Sequence, residues 1–258
     1  MDLGIEGRHA VVCASSAGLG YGCARQLAQA GCSVVINGRD QAKLDRAADA
    51  LRIESRAEIT AIAGDVTEVA TREKLLAVKP VDILVNNAGG PPLADFRSLS
   101  AEDIHRGLDS NMVTPIAMVQ GVIDGMVERG FGRIINITSA SVLTGIPKLD
   151  LSSGARAGLT AFLSGVARQV AGSNVTINNL LPGNFDTDRQ DAIIGNIAKQ
   201  SGKSEDAVRA ERAAAGPAGR FGTADEFGAA CAFLASVHAG YITGQNLLMD
   251  GGAFAANF

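Results

Sequence analysis

Phenols are scarce in this sequence. Tyr21 and Tyr241 are the two tyrosines in 258 residues, so acid–base chemistry that needs a phenol must draw on one of those positions. Cysteine is also rare. Cys13, Cys23, Cys32 and Cys231 show no metal-ligand spacing, and Cys13 and Cys32 lie in or beside apolar strand-like runs. They read as buried free thiols rather than disulfides, and no metal site is expected. No apolar run is long enough to span a bilayer. The first residues, Met1-Asp-Leu-Gly-Ile-Glu-Gly-Arg8, carry acidic groups and lack the hydrophobic centre of a signal peptide. A formal net charge of −4 gives no basis for binding nucleic acid or an anionic membrane. A cytoplasmic location is expected, with neither nucleic acid nor membrane as partner.

What is present is a folding composition: 47% apolar and 19% charged residues argue for a globular chain. Strand-like and helix-like segments alternate, the pattern of a parallel sheet covered by helices on both faces. Strands are expected at residues 9–14, 33–37, 58–63, 81–86, 132–138, 175–181 and 245–249. Helices are expected at 18–30, 41–51, 100–129 (with Pro115 as an internal kink) and 152–171. The last shows Ala155, Leu159, Phe162, Leu163, Val166 and Val170 at helical spacing. No repeat or linker divides the chain, so residues 1–258 are expected to form one α/β domain: a doubly wound, seven-stranded, Rossmann-type sheet. Residues 184–218 break the alternation, being polar, charged and interrupted by Gly195 and Gly202. The stretch is long for a connection and follows a strand's carboxyl end, where open sheets bind ligands. A substrate lid is the reading, a solvated helical hairpin the alternative.

Ala14-Ser15-Ser16-Ala17-Gly18-Leu19-Gly20 joins the first strand to the first helix. Glycines there let backbone N–H groups approach a pyrophosphate at the helix N-terminus, although the spacing fails the G-x-G-x-x-G template. The second strand ends Asn37-Gly38-Arg39-Asp40. Gly38 stands where an acidic residue would hold the adenosine ribose of NAD, and Arg39 can pair with a 2′-phosphate. The pair favours NADP(H) over NAD(H); an Asn-Gly turn beside an exposed arginine is the alternative.

These segments together resemble the short-chain dehydrogenase/reductase family over essentially the whole chain. The family's T-G-x-x-x-G-x-G is similar to Cys13-Ala14-Ser-Ser-Ala-Gly18-Leu-Gly20, with Ala14 replacing the first glycine. Asp65, followed by Val66, matches the family's adenine-side aspartate. Asn86-Asn87-Ala88-Gly89 matches N-N-A-G in full, and Asn111 falls on the asparagine of the long central helix. Pro182-Gly183-Asn184-Phe185-Asp186-Thr187 matches P-G-x-x-x-T at the nicotinamide end. The resemblance implies cofactor contacts at Ser15, Ser16, Gly18, Leu19, Gly20, Arg39, Asp65, Val66, Asn87, Ala88, Gly89, Pro182, Gly183 and Thr187. It also implies a Ser-Tyr-Lys centre assisted by the asparagine. Ser139 falls on the serine, but Ser152 stands at the tyrosine position and Arg156 at the lysine position.

That departure has chemical consequences. A phenol ionises near pKa 10 and can be tuned lower; an aliphatic hydroxyl is a far weaker acid and a ring shorter. Arg156, one helical turn from Ser152 on the same face, can bind a ribose hydroxyl or a developing oxyanion but does not shuttle a proton. Lys148 and Asp150 are nearby candidates for proton relay, with exposed loop charges as the alternative reading. Ser153 is a second hydroxyl or a helix cap. His9, His105 and His238 have no expected role.

The expected function is an NADP(H)-dependent oxidoreductase reducing a carbonyl or oxidising an alcohol through an atypical centre of Ser139, Ser152, Arg156 and Asn111. One alternative is a nucleotide-binding sensor or scaffold of this fold without redox activity. Another is a non-redox lyase. Halohydrin dehalogenases resemble the family and carry arginine at the lysine position, but they keep the tyrosine and replace the glycine loop, the reverse of this chain. The substrate is a small molecule, and Lys148, Arg156 and Arg189 suit an anionic or polyhydroxylated one. The family resemblance implies a homodimer or homotetramer, with which the 153–171 helix and the 252–258 tail are compatible.

Overall fold

The computed structural model describes residues 1–90 and 93–256; Pro91, Pro92 and the end of the tail, Asn257 and Phe258, lie outside the described residues. Seven parallel strands make one sheet: β1 (His9–Val12), β2 (Ser33–Gly38), β3 (Ile59–Ala63), β4 (Ile83–Asn86), β5 (Gly132–Ile137), β6 (Val175–Pro182) and β7 (Asn246–Met249). Their order is β3-β2-β1-β4-β5-β6-β7. The helices are α1 (Gly18–Gln29), α2 (Gln41–Ser55), α3 (Val69–Leu76), α4 (Ala101–Leu108), α5 (Thr114–Arg129), α6 (Asp150–Val170), α7 (Asp188–Ser201), α8 (Glu205–Ala214) and α9 (Ala224–Ala235). This is the doubly wound, Rossmann-type α/β sheet that the alternation predicts.

Helices cover both sheet faces, so the strands are apolar nearly throughout rather than alternately. Successive side chains still point to opposite faces. Val12, Ile36, Val85 and Ile135 pack with α1, α2 and α9, whereas Val11, Val35, Leu84 and Ile134 pack with α3, α5 and α6. All four cysteines are buried and free. Strand order reverses between β1 and β4, and a crevice opens beyond the carboxyl ends of strands at such a switch point.

Three local features differ from expectation. Helices α3 and α9 are not among the expected ones: the eight residues of α3 bury only Thr71 and Leu75 and give a weak periodic pattern, and α9 is apolar on too many sides to show a stripe, burying Phe227, Gly228, Cys231, Ala232, Leu234 and Ala235. The single helix expected over 100–129 is two helices, α4 and α5, joined by a π-turn at Asp109–Val113. Pro115 explains this: it has no N–H for the Asn111 carbonyl four residues back, and its ring crowds that carbonyl. Pro115 itself sits in the first turn of α5, where proline is tolerated, so the widened turn falls at Asn111 and not at the proline. Phe162, expected on the buried stripe of α6, is 50% exposed; it lies to one side of the Ala155–Leu159–Leu163 line that meets the sheet. Among the described residues no helix is long and apolar enough to cross a membrane, and no cluster of His, Cys, Asp and Glu could hold a metal ion.

Candidate active site

A cavity of about 1350 Å³ opens at the switch point. That exceeds the roughly 300–1,000 Å³ of a single small-ligand site. Its floor begins with the β1–α1 loop. Asn37 and Asn87 hold this loop from either side: Ala14 N–H donates to Asn37 Oδ1 (3.3 Å) and Asn87 Nδ2 donates to the Ala14 carbonyl (3.0 Å). Gly20 lies directly beneath, where a Cβ would come within 2.5 Å of the Ala14 carbonyl and 2.8 Å of Asn87 Nδ2. No side chain caps the N-terminus of α1, which leaves its first N–H groups free towards the cavity. Thr187 begins α7 from the opposite wall, and that helix also lacks a side-chain cap. Helices α3 and α6 likewise lack a side-chain cap, whereas α2, α4, α8 and α9 are capped by Asp40, Ser100, Ser204 and Thr223. A Cβ on Gly18 would sit 3.6 Å from Thr187, so the uncapped termini of α1 and α7 adjoin. This donor set suits a pyrophosphate.

The residues expected to hold a nucleotide divide into three groups. Gly18, Leu19, Asn87, Ala88, Gly89, Pro182, Gly183 and Thr187 line the cavity. Arg39, Asp65 and Val66 stand beyond it, past the ends of β2 and β3. There Arg39 is exposed and makes no salt bridge among the described residues. Asp65 is held below the usual carboxylate range: partial burial pushes it up, but the Thr67 N–H and hydroxyl and the charge of nearby Arg39 outweigh that. Ser15, Ser16 and Gly20 form the third group, behind the loop. Ser15 is fully buried; its hydroxyl donates to the Val12 carbonyl (2.7 Å) and accepts from Asn37 N–H (3.1 Å). Its side chain shapes the loop and does not reach the cavity. Ser16 packs under Gly38, where a Cβ would lie 3.0 Å from its own Cβ and Oγ.

Deeper in, Ser139, Ser152 and Arg156 share one wall. Ser139 ends β5, and its Oγ accepts from Ser141 N–H (3.1 Å), leaving its own hydrogen to donate. Ser152 is buried, and its Oγ accepts from Arg156 Nε (3.0 Å), while Arg156 Nη1 donates to the Ile137 carbonyl (2.5 Å). The Ser152 hydrogen is therefore also uncommitted to this arginine. Arg156 is 7% exposed, and burial, with the charge of Arg189 adding to it, pushes its guanidinium down to about 10. It remains protonated at neutral pH.

Asn111 does not join this wall. It lies buried in the π-turn against α6; its Nδ2 donates to Ser110 Oγ (2.8 Å), and its Oδ1 has no partner. Lys148 lines the cavity from an exposed loop, whereas Asp150 does not. Ser153 bonds back to the Leu149 carbonyl (2.9 Å) in the first turn of α6. Tyr21 and Tyr241 both lie outside the lining.

Sequence reasoning missed several lining residues. Arg212, Gln190 and Asn196 come from the α7–α8 excursion, and Ala253, Phe254, Ala255 and Ala256 from the tail. Asp250 turns that tail inward by accepting from Gly252 N–H (2.9 Å) and Phe254 N–H (2.8 Å). The Asp250-Gly-Gly252 run was the available signal, an Asx-type turn. The described part of the tail faces the cavity.

The sequence matches the family model described as "Enoyl-(Acyl carrier protein) reductase" over residues 13–253. It is 30% identical to the 3-oxoacyl-[acyl-carrier-protein] reductase FabG of Aquifex aeolicus, over 98% of this chain and 100% of that one. It is 34% identical to the acetoacetyl-CoA reductase of Allochromatium vinosum, over 96% and 98%. Among solved structures, L-sorbose reductase from Gluconobacter frateurii, complexed with NADPH and L-sorbose, superposes with a TM-score of 0.93 at 26% identity, covering 99% of this chain and 100% of that chain.

Proposed function

The chain belongs to the short-chain dehydrogenase/reductase family of oxidoreductases, and on that premise we propose that it is an NADP(H)-dependent enzyme reducing a carbonyl, or oxidising an alcohol, through an atypical centre. The observation that carries this reading is the single cavity in which the uncapped ends of α1 and α7 adjoin and the hydroxyls of Ser139 and Ser152 share a wall. The residues fit the nucleotide. Gly18, Leu19 and Thr187 would hold its pyrophosphate, Asn87, Ala88 and Gly89 would flank it, and Pro182 and Gly183 would face the nicotinamide end. Asp65 and Val66 would meet the adenine and Arg39 the 2′-phosphate. Preference for NADP(H) over NAD(H) rests on Gly38 and Arg39 and is supported by the NADPH-dependent relatives.

The cofactor supplies hydride chemistry when bound. Ser139 and Ser152 each donate a hydroxyl hydrogen to the substrate oxygen and stabilise the negative charge it gains in the transition state. Arg156 holds Ser152 in place through Nε and sets a positive charge behind it. Water in the open cleft supplies the proton that the family's tyrosine would give. Asn111, with its unpartnered buried Oδ1, acts from behind α6 and orders water there.

The domain is read as one unit, residues 1–258, with residues 184–218 as a lid over the substrate. The α7–α8 hairpin has its own small core of Ile194, Ala198 and Val208, separate from the two main cores, which supports its moving as a body. A homodimer or homotetramer built on α6 is supported by the exposed Phe162. A cytoplasmic, small-molecule enzyme is the setting proposed.

Ser139→Ala tests the reading. It is expected to lower kcat/KM about 10²–10³-fold, the cost of one oxyanion donor, with NADPH affinity unchanged; unaltered turnover would remove Ser139 from the chemistry. The position of both tyrosines outside the cavity favours one competing reading, a nucleotide-binding protein of this fold without redox activity. Tight NADPH binding with no consumption would establish it.

A further inference from the structure

The cavity carries more positive charge than its own acids answer. Lys148, Arg156, Arg189 and Arg212 all line it, and none of them makes a salt bridge among the described residues. Among the described residues the two lining carboxylates are already engaged: Asp188 pairs with Lys43 (2.7 Å), and Asp250 accepts two backbone N–H groups of the tail. Arg156 is the extreme case. It is more than nine-tenths buried, and among the described residues it bonds only to a hydroxyl and a carbonyl and meets no anion. A buried cation without a partner is costly, and an anionic ligand at this wall would bring the counter-charge.

Arg189 places a second charge opposite. Its guanidinium lies over Gly90, where a Cβ would come 3.0 Å from Nη2 and 3.1 Å from Cζ. Gly90 lines both the main cavity and a smaller one of about 370 Å³ reached by Leu151, the neighbour of Ser152. The Arg189 charge also reaches Arg156, which is bonded to Ser152. The pyrophosphate position at Gly18 and Thr187 is served by helix ends, and the residue before Arg189, Asp188, is engaged by Lys43.

We propose that the substrate is a small oxo acid or hydroxy acid whose carboxylate is held between Arg189 and Arg156 while its reacting oxygen meets Ser139 and Ser152. This rests on the oxidoreductase reading and names its substrate class. A guanidinium presents planar paired donors that match a carboxylate. Arg189 sits on the excursion proposed as the lid, so carboxylate binding also draws α7 towards α6.

The test is calorimetric binding of 2-oxobutanoate, acetoacetate and levulinate, each against its methyl ester, to the NADP⁺-loaded protein, followed by NADPH consumption with the same compounds. At least one acid is expected to bind ten-fold or more tightly than its ester. Arg189→Leu is expected to bring that ratio roughly ten-fold closer to one while leaving the thermal transition unchanged, and Arg189→Lys to restore part of it. Equal binding of acids and esters, binding of neither, or a ratio indifferent to Arg189→Leu overturns the proposal. Acid-selective binding without NADPH consumption keeps the carboxylate site and removes the redox reading. Consumption with neutral ketones and no acid preference does the opposite.

Discussion

Ala14 adopts φ 44°, in the left-handed region where a Cβ meets the following carbonyl and costs about 1–2 kcal/mol. It stands where the related motif has glycine, at the start of the loop that Asn37 and Asn87 clamp. The clamp over-determines the loop and holds the strain. Ala14→Gly is therefore expected to stabilise the fold by about 1 kcal/mol after the entropy of the freer unfolded chain is counted, raising Tm by about 2–4 °C. A calorimetric scan in which Tm falls or stays fixed would refute the strain argument. The same scale shows where residue-level reading worked. Ser139, Ser152 and Arg156 come from register against the family resemblance, and all three line the cavity. Ser15 could not be told from a ligand contact, because the sequence does not show that its hydroxyl faces Val12 and Asn37.

At the scale of elements, a run of asparagines ties the sheet together. Asn86, Asn136, Asn179 and Asn246 stand in register on β4, β5, β6 and β7. Each side-chain Nδ2 donates to the next Oδ1, at 3.0, 3.0 and 2.8 Å, and Asn86 also donates to the Pro115 carbonyl at 3.3 Å. The ladder thus connects the sheet to the first turn of α5, beside the π-turn that carries Asn111. Asn136→Ala leaves the Asn179 acceptor without its donor and takes one of two acceptors from Asn86. With each unmet buried group costing about 1–3 kcal/mol, a loss of about 2–4 kcal/mol in urea unfolding is expected; a loss below about 1 kcal/mol would show that the ladder is dispensable. Single asparagines in apolar strands gave no sign of this, since register across four strands is set by tertiary structure.

The C-terminal helix α9 offers a pH-dependent counterpart. Arg220's guanidinium, with the Thr223 N–H and hydroxyl, pulls the Glu226 carboxyl from an ordinary 4.5 to about 2, closing a capping box. Its folded value lies below its unfolded value, so its contribution is complete above about pH 4.5 and disappears as pH falls towards 2. The Tm gap between the parent and Glu226→Gln should accordingly be largest near neutrality and shrink between pH 5 and pH 2.5. A gap constant across that range would show that the carboxylate charge plays no part. The π-turn illustrates a different limit of legibility. Helical periodicity runs through it, and Pro115 reads as a kink at its own position, whereas the carbonyl it deprives belongs to Asn111.

For the whole molecule, the seven-stranded parallel sheet with helices on both faces followed from the alternating runs, because parallel strands need crossover helices that cover both faces. What did not follow was the inward turn of the tail and the linkage of the excursion to the rest, where Lys43 on α2 meets Asp188 at the head of α7. Both depend on contacts between residues far apart in sequence that no local pattern encodes. The central claim is that two hydroxyls backed by a buried arginine replace a phenol without ending redox chemistry. Its most direct test is absorbance of the reduced nicotinamide during incubation of the pure protein with NADPH, and separately NADH, across oxo acids and neutral carbonyls. The account predicts substrate-dependent loss of NADPH, faster than of NADH at equal concentration. NADPH that binds tightly yet persists with every carbonyl offered would contradict it.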